Sequence, residues 1–307
     1  MSALTIVRPG MLTTVQDLGR WGYQHLGVPV GGPMDWYSHR LANRLVGNPD
    51  GAAALEITLL GPELTASSDV LCAITGAHFE VTCGEAAVAM NASFVLPRGQ
   101  RLRFRGRSAG ARGALAVAGG IDVEELLGSR ATSLISRMGP FGGRALAAGD
   151  VLPVGTRPPL ERPAGRPLTL PRGGCRLRVM LGPHDGRFTA EAVSAFTSTR
   201  FVVTHESNRM GYRLDGAVLA QSDGTDMLSD ATPIGSLQVP PSGLPILLMA
   251  DRQTTGGYPK IATVITADLP SAGQLAPGDW VEFAPCSRVM ALDALRSRMA
   301  SLGGASR

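Results

Sequence analysis

Lysine is almost missing from this 307-residue sequence. Lys+Arg total 29, and lysine supplies one of them, Lys260. That scarcity excludes several functions. A phosphate-binding P-loop needs Gly-Lys-Ser/Thr, and Lys260 is followed by Ile261. A protein-kinase fold needs its strand lysine with H-R-D and D-F-G, which do not occur. A biotin carrier lysine lies between methionines, whereas Lys260 lies between Pro259 and Ile261, so no covalent biotin is expected on this chain. Aromatic residues make up only 5%, too few for a base-stacking nucleic-acid surface. The cysteines are Cys72, Cys83, Cys175 and Cys286, with no C-x-x-C pair, and the 5 histidines are scattered, so no metal site is expected. The cysteines read as buried free thiols of a cytoplasmic protein. No run approaches the ~18 apolar residues of a spanning helix, and the N-terminus has no apolar core of signal-peptide length. Net charge is only +4 with a pI near 9.2, a weak bias toward anionic substrates or acidic partners.

Glycine (39) and proline (22) are abundant, which suits short strands joined by turns. "ALEITLL", "DVLCAITG", "FEVTC", "AAVAMNASFVL" and "ALAVAGG" follow one another from Ala54 to Gly120, and "CRLRVMLG", "RFVVT", "PILLMA", "KIATVIT" and "GDWVEF" fill the second half. The fold class is therefore mainly β, with a few helices. One runs from about Asp35 to Val46, with Asp35 as cap and Gly47 and Pro49 as stop; another spans Arg187 to Ser198. A C-terminal helix repeats Val289, Leu292, Leu295, Met299 and Leu302 at helical spacing, a stripe expected to pack on the second domain. The basic run "RLRFRGR", Arg101 to Arg107, alternates with Leu102 and Phe104 and reads as a strand with one solvated face. A proline-rich stretch divides the chain into residues 1–155, a stiff linker at 156–171 and a second domain at 172–307. Each half closes on a Gly-Asp turn before an apolar strand, "LAAGDVL" at Asp150 and "LAPGDWV" at Asp279, a weak echo of two similar β-domains.

Where arginine replaces lysine at every other position, the surviving lysine marks a place that needs a compact ammonium, or it survives on a solvated strand edge. Four segments combine glycine with polar residues: "TVQDLGRWGYQHLGVPVGGPMD" (Gln16, Asp17, Arg20, His25, Asp35), "HESNRMGYRLDG" (Asn208, Arg209), "IGSLQVPPSG" (Gln238) and "ADRQTTGGYPK" (Gln253, Gly256, Gly257, Tyr258, Lys260). Each has a plain structural reading. Asp35 can cap a helix, Asp17 can close an Asx turn, Arg209 can cover apolar surface, and Asn208 and Gln253 can bond loop backbone. The functional reading makes Lys260, His25 and Asp35 the catalytic set, with Lys260 on a developing oxyanion and His25 or Asp35 moving a proton. Asn208, Arg209, Gln238, Gln253, Gly256, Gly257 and Tyr258 would hold the substrate, Arg209 through a bidentate grip on a carboxylate.

The segments "QDLGRWGYQHLGVPVGGPMDWYSHRLANRLVGN", "SNRMGYRLDG" and "DRQTTGGYPKIA" resemble the biotin-dependent carboxyltransferase-like family, which includes the C subunit of 5-oxoprolinase and the carboxyltransferase half of urea carboxylase. The resemblance runs from about Leu4 to Phe283, and departs from the family pattern at Leu237 before Gln238. It implies two tandem cyclophilin-like β-barrel domains with a ligand cleft between them. It also implies the A and B subunits of 5-oxoprolinase as partners, and ATP used by the complex but not necessarily bound by this chain, for opening 5-oxo-L-proline to L-glutamate. Alternatives within the resemblance are a carboxyltransferase acting on urea or another amide with a separate biotin carrier, and a non-catalytic regulator that binds a kinase inhibitor. "GSRATSLISRMGPFGG", Gly128 to Gly143, is read as a connector in preference to a mobile lid.

Overall fold

The computed structural model describes residues 2–156, 160, 165–222 and 227–303. Seven of the sixteen residues expected as a linker, 157–159 and 161–164, lie outside the described residues. The chain divides into two compact units. The first holds Met1–Trp21, Gly31–Leu170 and Met299–Arg307; the second holds Gly22–Val30 and Pro171–Arg298.

The first unit is a nine-stranded sheet of β1 (Ala3–Arg8), β2 (Leu12–Gln16), β3 (Ala54–Thr58), β4 (Glu63–Ala66), β5 (Val70–Cys83), β6 (Ala86–Val88), β7 (Ser93–Leu96), β8 (Arg101–Val117) and β9 (Val151–Pro153). Its path is β2-β3-β8-β4-β1-β9, while β5 pairs with β6, β7 and β8. The short apolar runs of the sequence join here into two long strands. β5 and β8 stay paired from Cys72↔Val117 to Cys83↔Leu102, with register shifts around His78 that let the ribbon bend. Alternation does the rest. Leu102 and Phe104 turn inward, and Phe104 meets Phe79 edge-on at 5.3 Å. Arg101 and Arg103 turn outward onto Glu63, which Arg8 also reaches at 3.2 Å. Gly61 is required by this core: a β-carbon there would lie 2.3 Å from Phe104 Cβ.

Helix Trp36–Leu45 lies against this sheet through Ala42 and Val46, which pack with Ala54, Ala73, Ala114 and Ala116. Small residues on both sides bring the helix close. Its N-terminus is capped by Asp35, which accepts from the Ser38 amide at 2.9 Å and the Ser38 hydroxyl at 2.6 Å. On the same helix His39 is fully enclosed, with Nε2 3.2 Å from the Asn43 amide. Burial pushes its pKa down to about 4, against the opposing pull of Asp17. The folded protein therefore disfavours the proton. His39's contribution to stability is complete above the free histidine value of 6.5 and is lost as pH falls from 6.5 toward 4. Between pH 7 and pH 5 this amounts to about 2 kcal/mol. Urea unfolding at the two pH values is expected to show that loss in the wild type and not in His39→Gln.

The segment after β8 is tied down at several points. Asp17 accepts from the Ser129 hydroxyl and the Arg130 amide, both at 2.6 Å. The buried Arg20 donates to the carbonyls of Leu126 at 3.0 Å and Ala131 at 2.8 Å. Gln16 adds a bond to the Thr132 carbonyl at 3.0 Å. Residues 126–132 are thus a pinned connector, and the polar residues of the first glycine-rich segment are what pin it.

The second unit is a closed barrel in the order β10-β17-β14-β15-β12-β11-β18. Its strands are β10 (Gly174–Leu181), β11 (Phe201–Val203), β12 (Gly211–Asp215), β14 (Ser236–Gln238), β15 (Ile246–Leu248), β17 (Lys260–Val264) and β18 (Trp280–Pro285). A separate two-stranded ribbon pairs β13 (Asp230–Ala231) with β16 (Thr255–Gly256). β10 and β18 run parallel, and the other pairs of the barrel are antiparallel. Phe196 of helix Ala190–Ser198 stacks on Phe283 of β18 at 4.8 Å, and both are buried.

The two Gly-Asp turns are built alike. Asp150 and Asp279 each accept the amide three residues back (2.7 and 2.8 Å), after a glycine at φ +90° and +91°. The C-terminal helix, Arg288–Ser301, departs from expectation. Val289 and Leu292 are exposed, and the helix buries no residue along its length. Its end does the packing: Leu302, with Met299 beside it, joins Tyr37, Leu41 and Leu168 in the first unit. No helix among the described residues is long and apolar enough to cross a membrane.

Candidate functional site

Lys260 opens β17, a strand hydrogen-bonded on both sides within the barrel. It is only 1% exposed. Its backbone is fixed by His184, whose amide donates to the Lys260 carbonyl and whose Nδ1 accepts the Lys260 amide, both at 3.1 Å. Its ammonium lies 2.9 Å from Asp230 Oδ2, and the Asp230 side chain is 52% exposed. A buried cation thus faces a carboxylate that stands in solvent on the edge ribbon. The hydrogen bond from Lys260, aided by the Ala231 amide, holds the Asp230 carboxyl below the usual carboxylate range.

His184 completes this group, with Nε2 4.0 Å from Asp230 Oδ2. Because Nδ1 already accepts from the Lys260 amide, the neutral ring carries its proton on Nε2. Desolvation, with the Lys260 charge second, lowers its pKa. His184 is therefore a neutral N–H donor near pH 7, not a free base.

Gln238 is buried in β14 and pairs with Lys260 across the sheet. Its Nε2 donates to the Tyr258 carbonyl at 3.3 Å, and its Oε1 accepts from Gln253 Nε2 at 3.1 Å. Gly256 lies against both amides: a β-carbon there would come within 2.6 Å of Gln238 Nε2 and 3.2 Å of Gln253 Nε2. Gly256 also pairs with Asp230 across the ribbon. One edge of the barrel therefore gathers Lys260, Gln238, Gln253, Gly256 and Tyr258 with His184 and Asp230. Gly257 follows Gly256, and Tyr258 is exposed.

The other candidates fall elsewhere. Arg209 is buried, and its Nε and Nη2 grip Asp251 at 2.9 and 3.0 Å, so the carboxylate it holds bidentately belongs to the protein. With the Asp251 amide bonded to the Arg209 carbonyl at 2.9 Å, this pair anchors the start of the loop that leads to Lys260. Asn208 is exposed, and its Oδ1 accepts the Met210 amide at 2.8 Å in a local turn. Asp35 is the helix cap described above, in the first unit. His25 is exposed on the short turn Gln24–Leu26, within the segment grouped with the second unit.

Sequence reasoning missed His184 and Asp230. They lie 76 and 30 positions from Lys260, and only strand pairing brings them together. The one local signal was "GPHDGR", a histidine in a turn-rich segment directly after an apolar strand.

Residues 26–285 match the family described as "Carboxyltransferase domain, subdomain A and B". The C subunit of 5-oxoprolinase from Escherichia coli (strain K12) is 41% identical over 293 residues, covering 95% of this chain and 94% of that protein. The urea amidolyase of Lachancea kluyveri is 35% identical over 98% of this chain, which spans only 18% of that much longer protein. The crystal structure of the Kluyveromyces lactis urea amidolyase superposes with a TM-score of 0.93 at 34% identity, over 98% of this chain and 20% of that one. By match length and mutual identity, the chain belongs to the carboxyltransferase domain, subdomain A and B, family.

Proposed function

We propose that this chain is the C subunit of an ATP-dependent 5-oxoprolinase, working with the A and B subunits to open 5-oxo-L-proline to L-glutamate. The observation that carries the reading is the near end-to-end correspondence with the C subunit of a 5-oxoprolinase, against a match to under a fifth of the urea amidolyases. The barrel-edge cluster supplies matching chemistry. An amide resists attack until negative charge on its oxygen is stabilised. Lys260 presents a desolvated ammonium, and His184 a neutral N–H, for that oxygen. Gln238 and Gln253 orient the ring, with Gly256 allowing close approach. Asp35 and Arg209 serve as positioning residues in this reading. His25 and Asn208 remain available to a substrate or a neighbouring protein of the complex. ATP is used by the complex and is not necessarily bound by this chain, which carries no P-loop lysine.

Reconstitution tests the reading. This chain alone is expected to release little glutamate, and mixing it with the A and B subunits is expected to produce ATP- and 5-oxoproline-dependent release. No release above the A plus B background contradicts it. The urea amidolyase relatives support a second reading, carboxyl transfer to an amide from a separate biotin carrier. Avidin inhibition of the reconstituted activity would select that reading over the first.

A further inference from the structure

We propose that Arg252, at the base of the loop carrying Gln253 and Gly256, is the receptor for a carboxylate on the amide substrate. This deepens the 5-oxoprolinase reading and rests on it. Arg252 is half-buried, and its Nε donates to the Thr232 carbonyl at 2.7 Å. Its two terminal nitrogens, with four N–H donors, have no acceptor among the described residues. No carboxylate of the described residues stands within ion-pair distance of it, although its neighbour Asp251 is committed to Arg209. Burial alone moves its pKa, down to about 10, so it remains a cation, with terminal nitrogens that are not enclosed by protein. A guanidinium held by its Nε, with both terminal nitrogens left open and no protein carboxylate beside it, is arranged to take an arriving carboxylate.

Its position favours that role. Thr232, which accepts from Arg252, also donates its hydroxyl to the Gln253 carbonyl and bonds the Thr254 carbonyl through its amide. The Thr232 methyl would sit 3.3 Å from a β-carbon on Gly256. Asp230, the partner of Lys260, is two residues before Thr232 on the same chain segment. The guanidinium is thus tied to the segments that hold the lysine and the two glutamines. The ligand class follows: a small amide bearing a carboxylate, in preference to neutral urea.

Calorimetric titration of 5-oxo-L-proline, 2-pyrrolidinone (the same ring without the carboxylate) and urea, on the chain and on the reconstituted complex, tests this. The wild type is expected to prefer 5-oxo-L-proline by about 30-fold, the worth of a charge-assisted pair. Arg252→Gln is expected to erase that preference and leave 2-pyrrolidinone binding within about two-fold, while Arg252→Lys keeps part of it. Unchanged 5-oxo-L-proline binding in Arg252→Gln, or parallel loss of both lactams, overturns the proposal. If the complex turns over 5-oxo-L-proline with a KM indifferent to Arg252→Gln, the carboxylate role falls and the 5-oxoprolinase reading stands. If another carboxylated amide binds through Arg252 while 5-oxo-L-proline does not, the reading falls and the role stands.

Discussion

Lys260→Met is expected to lower the kcat of the reconstituted complex by about 10²–10³-fold, the scale seen when one oxyanion-stabilising donor is removed. Stability should change far less. Methionine fills similar volume, and the partner left behind, Asp230, is exposed and can be solvated. The reverse change should act differently. Asp230→Ala leaves a buried ammonium without its anion, so it should destabilise the barrel more than Lys260→Met does. Thermal unfolding of the two variants checks this asymmetry. Lys260→Arg should not rescue turnover, because a planar guanidinium spreads its charge over a fork and does not reproduce a compact ammonium point charge. Unchanged turnover in Lys260→Met would reduce the lysine to a strand-edge survivor.

Truncating Arg209 is expected to cost about 3–5 kcal/mol, because it takes the bidentate partner from the buried Asp251 carboxylate. Arg209→Lys should recover little, since one ammonium cannot reproduce two parallel N–H···O bonds. The double change Arg209→Met with Asp251→Leu should be much milder than the sum of the single changes, which denaturant unfolding of all four proteins would show. The pair fixes the point where the loop to Gln253, Gly256 and Lys260 departs from β15. Loss of 5-oxo-L-proline turnover is therefore expected to accompany loss of stability. That result would mark a positioning role, in contrast to the ligand contact that a carboxylate-gripping arginine suggests from sequence.

Local chemistry made some of this readable in the sequence. Lysine scarcity singled out Lys260, and the structure buries it beside Gln238 and near Gln253, two residues drawn from other polar segments. Asp35 before an amphipathic run, with Gly47 and Pro49 after it, marked the capped helix. The mainly β content followed from short apolar runs and turn residues. What was hidden depends on long-range pairing. Arg209 and Asp251 are 42 positions apart, and a bidentate grip on an internal carboxylate looks the same in sequence as one on a ligand. Five short runs could not reveal that β5 and β8 are single bent ribbons, because bulges reset the alternation that the eye follows. The stripe on the C-terminal helix misled for a related reason: apolar spacing shows that a face exists, not that anything covers it.

The decisive measurement is a crystal structure of the assembled complex with 5-oxo-L-proline bound. The lactam oxygen is expected within hydrogen-bond distance of Lys260 Nζ, with the ring against Gln253 and Gly256. A ligand bound elsewhere, with the Lys260–Asp230 pair unapproached, would contradict the role given to this lysine.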